Sequence, residues 1–383
     1  MEELYCRRCG NTKEFHKTSK GYYCEACKKM GRFYVDAPLS TRIWHFPSSE
    51  DSDYELSYSL SQKQQIASIE IIAGIQEKQD VLVYAACGAG KTEMVMPLIT
   101  YCMKQHIKVG IAIPRKEVVI ELQQRFKEAY SRKSVIAVYG EHHDNIDADL
   151  VICTTHQLFR YEKVFGVLIV DEVDAFPFRG DPLLESLVHF ACKGNKVYLT
   201  ATPSDEMLET CEQGKMKLVT LFERFHKGKL CIPEVKIGYN WYLYLHMLDF
   251  LHQHSHKTTL LFVPSIQKAY QLGRLLKYYC PSVLVLTSQS TNREYYNREM
   301  KSHKYQIIVC TTVMERGITI SDVQVIVLQA DHPVFSLASL IQISGRVGRK
   351  VEAREGDCVF LCTKRSENVE KAINRLQEMN AHG

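Results

Sequence analysis

The stretch Val83 to Thr92, VYAACGAGKT, is a glycine-rich turn that ends in a lysine and a threonine. Phosphate-binding loops follow the pattern G-x-x-x-x-G-K-[ST], and here Ala85 stands in the place of the first glycine. The chemistry on offer is the binding of ATP. Gly88 and Gly90, flanking Ala89, let the backbone curl so that its N–H groups face phosphate oxygens. The helical stretch that follows, TEMVMPLITYCMKQ, adds a favourable field for anions at its start. Lys91 then reaches the β- and γ-phosphates and Thr92 holds Mg²⁺. Ala85 falls at the end of the preceding apolar run, where a small residue suffices.

A pair of carboxylates completes this chemistry. VLIVDEVDAF is an apolar run ending in Asp171 and Glu172, and an acidic residue at the carboxyl end of a buried parallel strand faces the ligand crevice. Asp171 is expected to bind Mg²⁺, directly or through water, and Glu172 to orient or deprotonate the attacking water. Gln64, in LSQKQQ, is a candidate hydrogen-bond partner for the adenine edge. TATP (Thr200 to Pro203) follows the strand after the acidic motif. In QISGRVGR, Arg346 and Arg349 lie three apart, so on a helix they share one face. Two guanidiniums so placed suit a γ-phosphate in the arginine-finger manner.

A second chemistry sits at the N-terminus. CRRCG and CEACK place Cys6, Cys9, Cys24 and Cys27 as two C-x-x-C knuckles separated by fourteen residues. Four thiolates so spaced form a closed tetrahedral zinc site. His16 is read as a surface residue. Residues 1–36 are poor in aliphatics, so metal is expected to stabilise them in place of a core. On that reasoning the module should be separable from the rest. Arg7, Arg8, Lys13, Lys17 and Lys20 would give it a basic face, with Tyr22 and Tyr23 available for base stacking.

The elements that must position these residues follow from periodicity. Residues 37–58 read as a linker with turn residues and an aromatic anchor, Trp44. From Ser59, short β-branched runs alternate with helix-like segments, which is the pattern of a parallel sheet covered on both faces. The alternation pauses near FERFHKGKLCIPEV (222–235) and restarts with TTLLFVPS. The expected organisation is α/β: a module at 1–36, a linker at 37–58, and two parallel-sheet lobes at 59–225 and 226–383. The tail SENVEKAINRLQEMN has helical spacing and is expected to pack on the second lobe.

Composition is that of an ordinary soluble globular chain of 383 residues, 45% hydrophobic and 24% charged. No apolar run approaches the roughly 18 residues that span a bilayer. The start, MEELYCRRCG, carries charge without an apolar core and is not read as a signal peptide. Fourteen cysteines therefore point to a reducing cytosol. With a net charge of +4, any nucleic-acid surface must be local.

Taken in order, these motifs resemble superfamily 2 DNA or RNA helicases, and the resemblance covers residues 59–383. It implies two tandem RecA-like lobes, with ATP bound in the cleft between them and a nucleic-acid strand crossing both. It assigns strand contacts to Pro114 and Arg115 in IPRKEV, Thr154 and Thr155 in TTHQL, and Thr311 and Thr312 in TTVMERGIT. On the same resemblance Gly317 joins the residues on the nucleotide side. One departure stands out: many helicases place Asp near Thr319 to contact the ribose, and this chain does not, so nucleotide selectivity is expected to be loose.

The four-cysteine module ahead of a short helicase core resembles the late-competence ATPases of naturally transformable Gram-positive bacteria, the ComFA family. ERGIT, DEVDAFPF and QISGRVGR are close to that family's forms. The resemblance implies a DNA-stimulated ATPase that helps bring incoming single-stranded DNA into the cell. It also implies a phosphoribosyltransferase-like competence partner and a membrane DNA-uptake channel, to which the cytoplasmic protein associates from the inner face of the membrane. Two other readings remain: a replication-restart or repair helicase that separates duplexes, and a non-motor scaffold with a helicase fold.

Overall fold

The computed structural model describes residues 4–383 apart from 37, 39–41, 141, 176–177, 179, 291–292, 313–319, 321 and 349–355. The chain divides into two compact units. One comprises Met1–Tyr84 and Lys91–Thr220, the other Ala85–Gly90 and Leu221–Gly383.

The first unit opens with the cysteine module, a hairpin of β1 (Phe15–Thr18) and β2 (Gly21–Cys24). Its main sheet holds β3 (Asp80–Ala85), β4 (Val109–Ile113), β5 (Val135–Val138), β6 (Leu150–Thr154), β7 (Phe165–Asp171), β8 (Cys192–Thr200) and β9 (Met216–Leu221), in the order β5-β6-β4-β7-β8-β3-β9. The pairings from β5 through β3 are all parallel. β4 is buried at every residue, which is why it reads as an unbroken apolar run rather than an alternating one. Helices α1 (Gln62–Gln76), α2 (Lys91–Met94), α3 (Met96–Lys104), α4 (Lys116–Ala129), α5 (Pro182–Ala191) and α6 (Asp205–Glu212) connect the strands. The stretch expected as one helix after the phosphate loop is two, because it breaks at Val95, with Pro97 in the first turn of α3. Proline lacks the N–H that a continuous helix would use.

The second unit is a six-stranded parallel sheet of β10 (Glu234–Ile237), β11 (Thr258–Phe262), β12 (Val283–Leu286), β13 (Ile307–Cys310), β14 (Val323–Leu328) and β15 (Cys358–Cys362), in the order β10-β15-β14-β11-β13-β12. Its helices are α7 (Asn240–Gln253), α8 (Ile266–Lys277), α9 (Arg293–Lys301), α10 (Leu337–Ser344) and α11 (Glu367–His382). Leu243 and Met247 of α7 and Leu272 and Leu276 of α8 pack on strand residues Leu261, Val309 and Ile326. The tail helix α11 buries Val369, Ala372, Leu376 and Met379.

Two segments are held more firmly than their sequence reading required. The linker expected at 37–58, with Trp44 as its anchor, is strapped to the first unit through its described residues. Trp44 lies on Tyr161 at 5.4 Å between ring centroids, the buried Ser52 offers its carbonyl to Thr100, and Lys104 pairs with Asp53. Lys108, with a fully buried side chain, donates to the His45 and Ala148 carbonyls and pairs with Asp147. Burial pushes Lys108 downward and Asp147 pulls it back, so this carboxylate and the strap's carbonyl are what make a buried cation tolerable.

The cysteine module is likewise not a separate body. Phe33 meets Phe190 of α5 edge-on at 5.8 Å, and both share a buried cluster with Cys6, Cys24 and Cys27. The Arg8 guanidinium lies over Phe33 at 4.2 Å and Phe159 at 5.4 Å, while Arg7 pairs with Glu162. Two of the five basic residues expected on an open face are therefore used in docking. Tyr23 is also withdrawn, since it is buried and stacks on His16. Lys13, Lys17 and Lys20 stay exposed, and Tyr22 is half-buried.

Candidate active site and metal centre

β3 delivers the phosphate loop. Gly88 and Gly90 have φ of 83° and 79°, the left-handed region where a side chain is strained. Ala85 is the last residue of β3 and has no such φ. The missing glycine thus falls on extended backbone, where alanine is tolerated. Lys91 and Thr92 open α2.

β7 delivers the carboxylates. Asp171 is its last residue, and its Oδ1 accepts the Glu172 N–H at 2.8 Å. Burial pushes Asp171 up to about 6 against the pull of the Lys91 ammonium, with Glu172 adding to the rise. The carboxylate and Lys91 therefore act on one another. Glu172 itself has φ of 55°, an unfavourable conformation for a residue with a Cβ and one that recurs at functional sites. Three residues on, the buried Asp174 accepts from Thr200 and Thr202, each at 2.8 Å, and Thr200 Oγ1 in turn accepts the Thr202 N–H. These bonds tie the acidic motif to TATP. The spacing of the two motifs does not reveal them, although a carboxylate and two hydroxyls at neighbouring strand ends were a usable signal.

Gln64 is buried and takes part in a capping box at the start of α1. Its Oε1 accepts the Ser61 N–H at 2.9 Å while its own N–H donates to Ser61 Oγ. Its carbonyl oxygen is therefore already a cap, and recognition of an adenine would fall to the amide nitrogen.

The strand-contact candidates gather on the carboxyl edges of the sheets. Pro114 and Arg115 follow β4, with Arg115 as the N-cap of α4. Thr154 ends β6 and is half-buried, whereas Thr155 is fully buried and its hydroxyl has no hydrogen-bond partner among the described residues. Thr311 and Thr312 follow β13, the first buried and the second half-buried. Arg346 comes one residue after the C-cap of α10 and is only 3% exposed; its charge is felt by Cys310, at the end of β13. Gly317 and Arg349 lie outside the described residues.

In the module, the sulfurs of Cys6, Cys9, Cys24 and Cys27 all lie within 4.8 Å of one another, with Cys6 to Cys27 at 3.8 Å and Cys9 to Cys24 at 3.4 Å. A tetrahedron with Zn–S bonds of about 2.3 Å has S···S edges of about 3.8 Å. The donor set therefore fits one zinc ion in size and in chemistry. Asn11 Nδ2 donates to Cys24 Sγ at 3.4 Å and orients it.

Comparison with known proteins bears on both halves of this picture. Residues 57–205 match the family model described as type III restriction enzyme, res subunit. Residues 243–351 match the helicase conserved C-terminal domain. Competence protein ComFA of Bacillus subtilis (strain 168) is 33% identical over 400 residues, covering 98% of this chain and 85% of that one. The chain belongs to the ComFA family. Competence protein ComFA of Streptococcus pneumoniae is 32% identical, covering 99% and 90%. In fold, the chain is similar to S. cerevisiae Dbp5 solved with RNA and ADP BeF3, with a TM-score of 0.61 and 16% identity, covering 84% of this chain and 92% of that one. It is similar also to RecG solved on a three-way DNA junction, with a TM-score of 0.58 and 21% identity, covering 85% and 45%. The two parallel-sheet units are RecA-like lobes. As a ComFA relative with both helicase domains, the protein is an ATP-hydrolysing, helicase-like motor of competence. Among the described residues, no helix is long and apolar enough to cross a membrane.

Proposed function

We propose that the chain is a single-stranded-DNA-stimulated ATPase that moves along incoming DNA during transformation rather than a separator of duplexes. The observation that supports an ATP-driven motor on a nucleic-acid strand is the placement of the candidate groups; the comparison of single strands with duplex below distinguishes its two forms. The phosphate loop, Asp171 and Glu172 lie at or just past the carboxyl ends of parallel strands, as do the strand-contact candidates, and that edge is where open α/β sheets bind ligands.

In this reading the loop amides of Gly88 to Gly90 and the Lys91 ammonium hold the phosphates, and Thr92 and Asp171 would hold Mg²⁺. Bound there, it would supply charge neutralisation for the transferred phosphoryl group. Glu172 accepts the proton of the attacking water as that water's oxygen bonds to the γ-phosphorus and the bond to the ADP oxygen breaks. Arg346 and Arg349 steady the charge on the transferred group. Gln64 and Gly317 are assigned to the nucleotide, and Pro114, Arg115, Thr154, Thr155, Thr311 and Thr312 to the strand backbone, with Thr155 acting through its backbone because its side chain is buried. Cys6, Cys9, Cys24 and Cys27 hold structural zinc. The phosphoribosyltransferase-like partner and the membrane uptake channel belong to the same proposal.

The test is ATP turnover of the full chain with no DNA, single strands and duplex, across salt. Single strands should accelerate it, and binding should weaken steeply with salt as counterions are released. Lys91→Ala should abolish turnover. A rate indifferent to DNA at low salt would remove the motor reading; stimulation by duplex alone would favour the strand-separating one.

A further inference from the structure

Arg224 lies in the irregular stretch between the two sheets and carries none of the motifs. It is nevertheless, among the described residues, the largest of the almost wholly buried side chains, 1% exposed. Its guanidinium donates to four backbone carbonyls. Nη1 reaches Val347 O at 2.8 Å and Gly348 O at 2.7 Å, and Nη2 reaches Gly345 O at 3.1 Å. Nε reaches Cys87 O at 3.1 Å. The first three acceptors belong to the turn that closes α10 and carries Arg346; the fourth belongs to the phosphate loop. The chain around Arg224 follows that loop too: Ala86 N–H donates to Leu221 O at 2.9 Å, and Phe225 N–H to Gly88 O at 3.4 Å.

We propose that Arg224 is a positioning residue for ATP hydrolysis, one guanidinium that sets both the phosphate loop and the Arg346 turn. The carbonyls of the C-cap Gly345 and of Val347 and Gly348 beyond it have no partner within the helix and lie at its negative dipole end, so a cation suits that place. Only the planar, five-donor fork of arginine can serve several carbonyls in fixed directions. Lysine could offer the charge but not the geometry. The turn and the loop are closely packed at this point: a Cβ on Gly345 would meet Cys87 Cβ at 2.5 Å. Misplacing reacting groups by about 1 Å can slow a reaction about 100-fold, so the expected defect lies in kcat rather than in nucleotide affinity. The proposal rests on the reading of Arg346 as a γ-phosphate group.

The experiment uses the full chain as Arg224→Lys, Arg224→Ala, Arg346→Ala and the Arg224→Ala/Arg346→Ala double variant. Thermal midpoint, affinity for a fluorescent ADP, and kcat and KM for DNA-stimulated ATP turnover are measured for each. Arg224→Lys should bind ADP within about threefold of wild type and turn over about 100-fold more slowly. The double variant should be no slower than Arg346→Ala alone, because residues acting as a unit are not additive. Millimolar guanidinium, far below denaturing levels, should restore part of kcat in Arg224→Ala. Wild-type kcat in Arg224→Lys would overturn the proposal, as would defects that multiply in the double variant. A defect in Arg224→Ala matched by a collapsed thermal midpoint and no guanidinium rescue would leave only a structural role, and that also overturns it. Wild-type turnover in Arg346→Ala would instead refute the underlying finger reading, and with it the route through the turn.

Discussion

Asp171→Asn should stabilise the nucleotide-free protein while abolishing its activity. The carboxyl is pushed from 3.8 to about 6, chiefly by burial. A carboxylate raised in the folded state holds its proton more tightly there than in the unfolded chain. Its stabilising contribution is therefore full below the unfolded value near 4 and is lost as pH rises to about 6. A shift of about 2 units at ~1.4 kcal/mol each is a ceiling of ~3 kcal/mol. Asparagine keeps the acceptor for the Glu172 N–H and never ionises, so it escapes that loss. Urea unfolding from pH 4 to pH 8 should show the two proteins alike near pH 4, with the variant pulling ahead up to pH 6 and holding its lead above. Saturating Mg²⁺ and ADP should reverse the order, because a bound cation favours the ionised carboxylate. A variant no more stable than wild type at pH 8 without nucleotide would refute the burial argument. An advantage already present at pH 4 would assign the gain to packing instead.

Three further changes test neighbouring parts of the structure. Thr202→Val removes one hydrogen bond to the buried Asp174 carboxylate, and Thr200→Val removes both that kind of bond and the acceptor for the Thr202 N–H; at about 1.5–3 kcal/mol per charged hydrogen bond, Thr200→Val should lower stability more, and the reverse order in chemical denaturation would break the account. Phe33→Ala should weaken the module by about 3 kcal/mol or more, since the ring is buried between Arg8 and Phe190; zinc should then be lost faster to a chelator and hydrogen exchange should rise in α5, whereas the exposed Lys13→Ala should change neither. Lys108→Ala leaves the Asp147 carboxylate and the His45 carbonyl without their cation, so proteases should cut within 37–58 more readily, and an uncut strap would show that the contacts of Trp44, Ser52 and Asp53 secure it without Lys108.

The sheets were legible because their physics is local. A strand buried on both faces is expected to run apolar without alternation, and VGIAI and IIVC announce that without reference to anything distant. The turn after β3 was legible for a similar reason, since Gly88 and Gly90 mark backbone that other residues resist. Even the departure at Ala85 could be read correctly, as a strand end with no demand for glycine. The break of the following helix at Val95 was within reach too, because Pro97 stands in the sequence; the apolar spacing on either side simply spoke louder.

What stayed hidden depends on partners far apart in the chain. The cysteine spacing foretold a four-cysteine cluster but implied an isolated one, because a segment poor in aliphatics cannot build a core alone. It did not need to: Phe33 completes its small core with Phe190, more than 150 residues away. Two arginines that looked like nucleic-acid contacts are the polar part of that docking. The cost of undocking is thus shared between metal and aromatic packing, so loss of zinc should expose Phe190 and disturb α5 as well as unfold the hairpin. Arg224 is the extreme case. It lies in a stretch without periodicity, beside another basic stretch, and its partners are main-chain carbonyls, which have no residue identity to read. A side chain that recognises backbone leaves no complementary letter in the sequence, and only its burial reveals it.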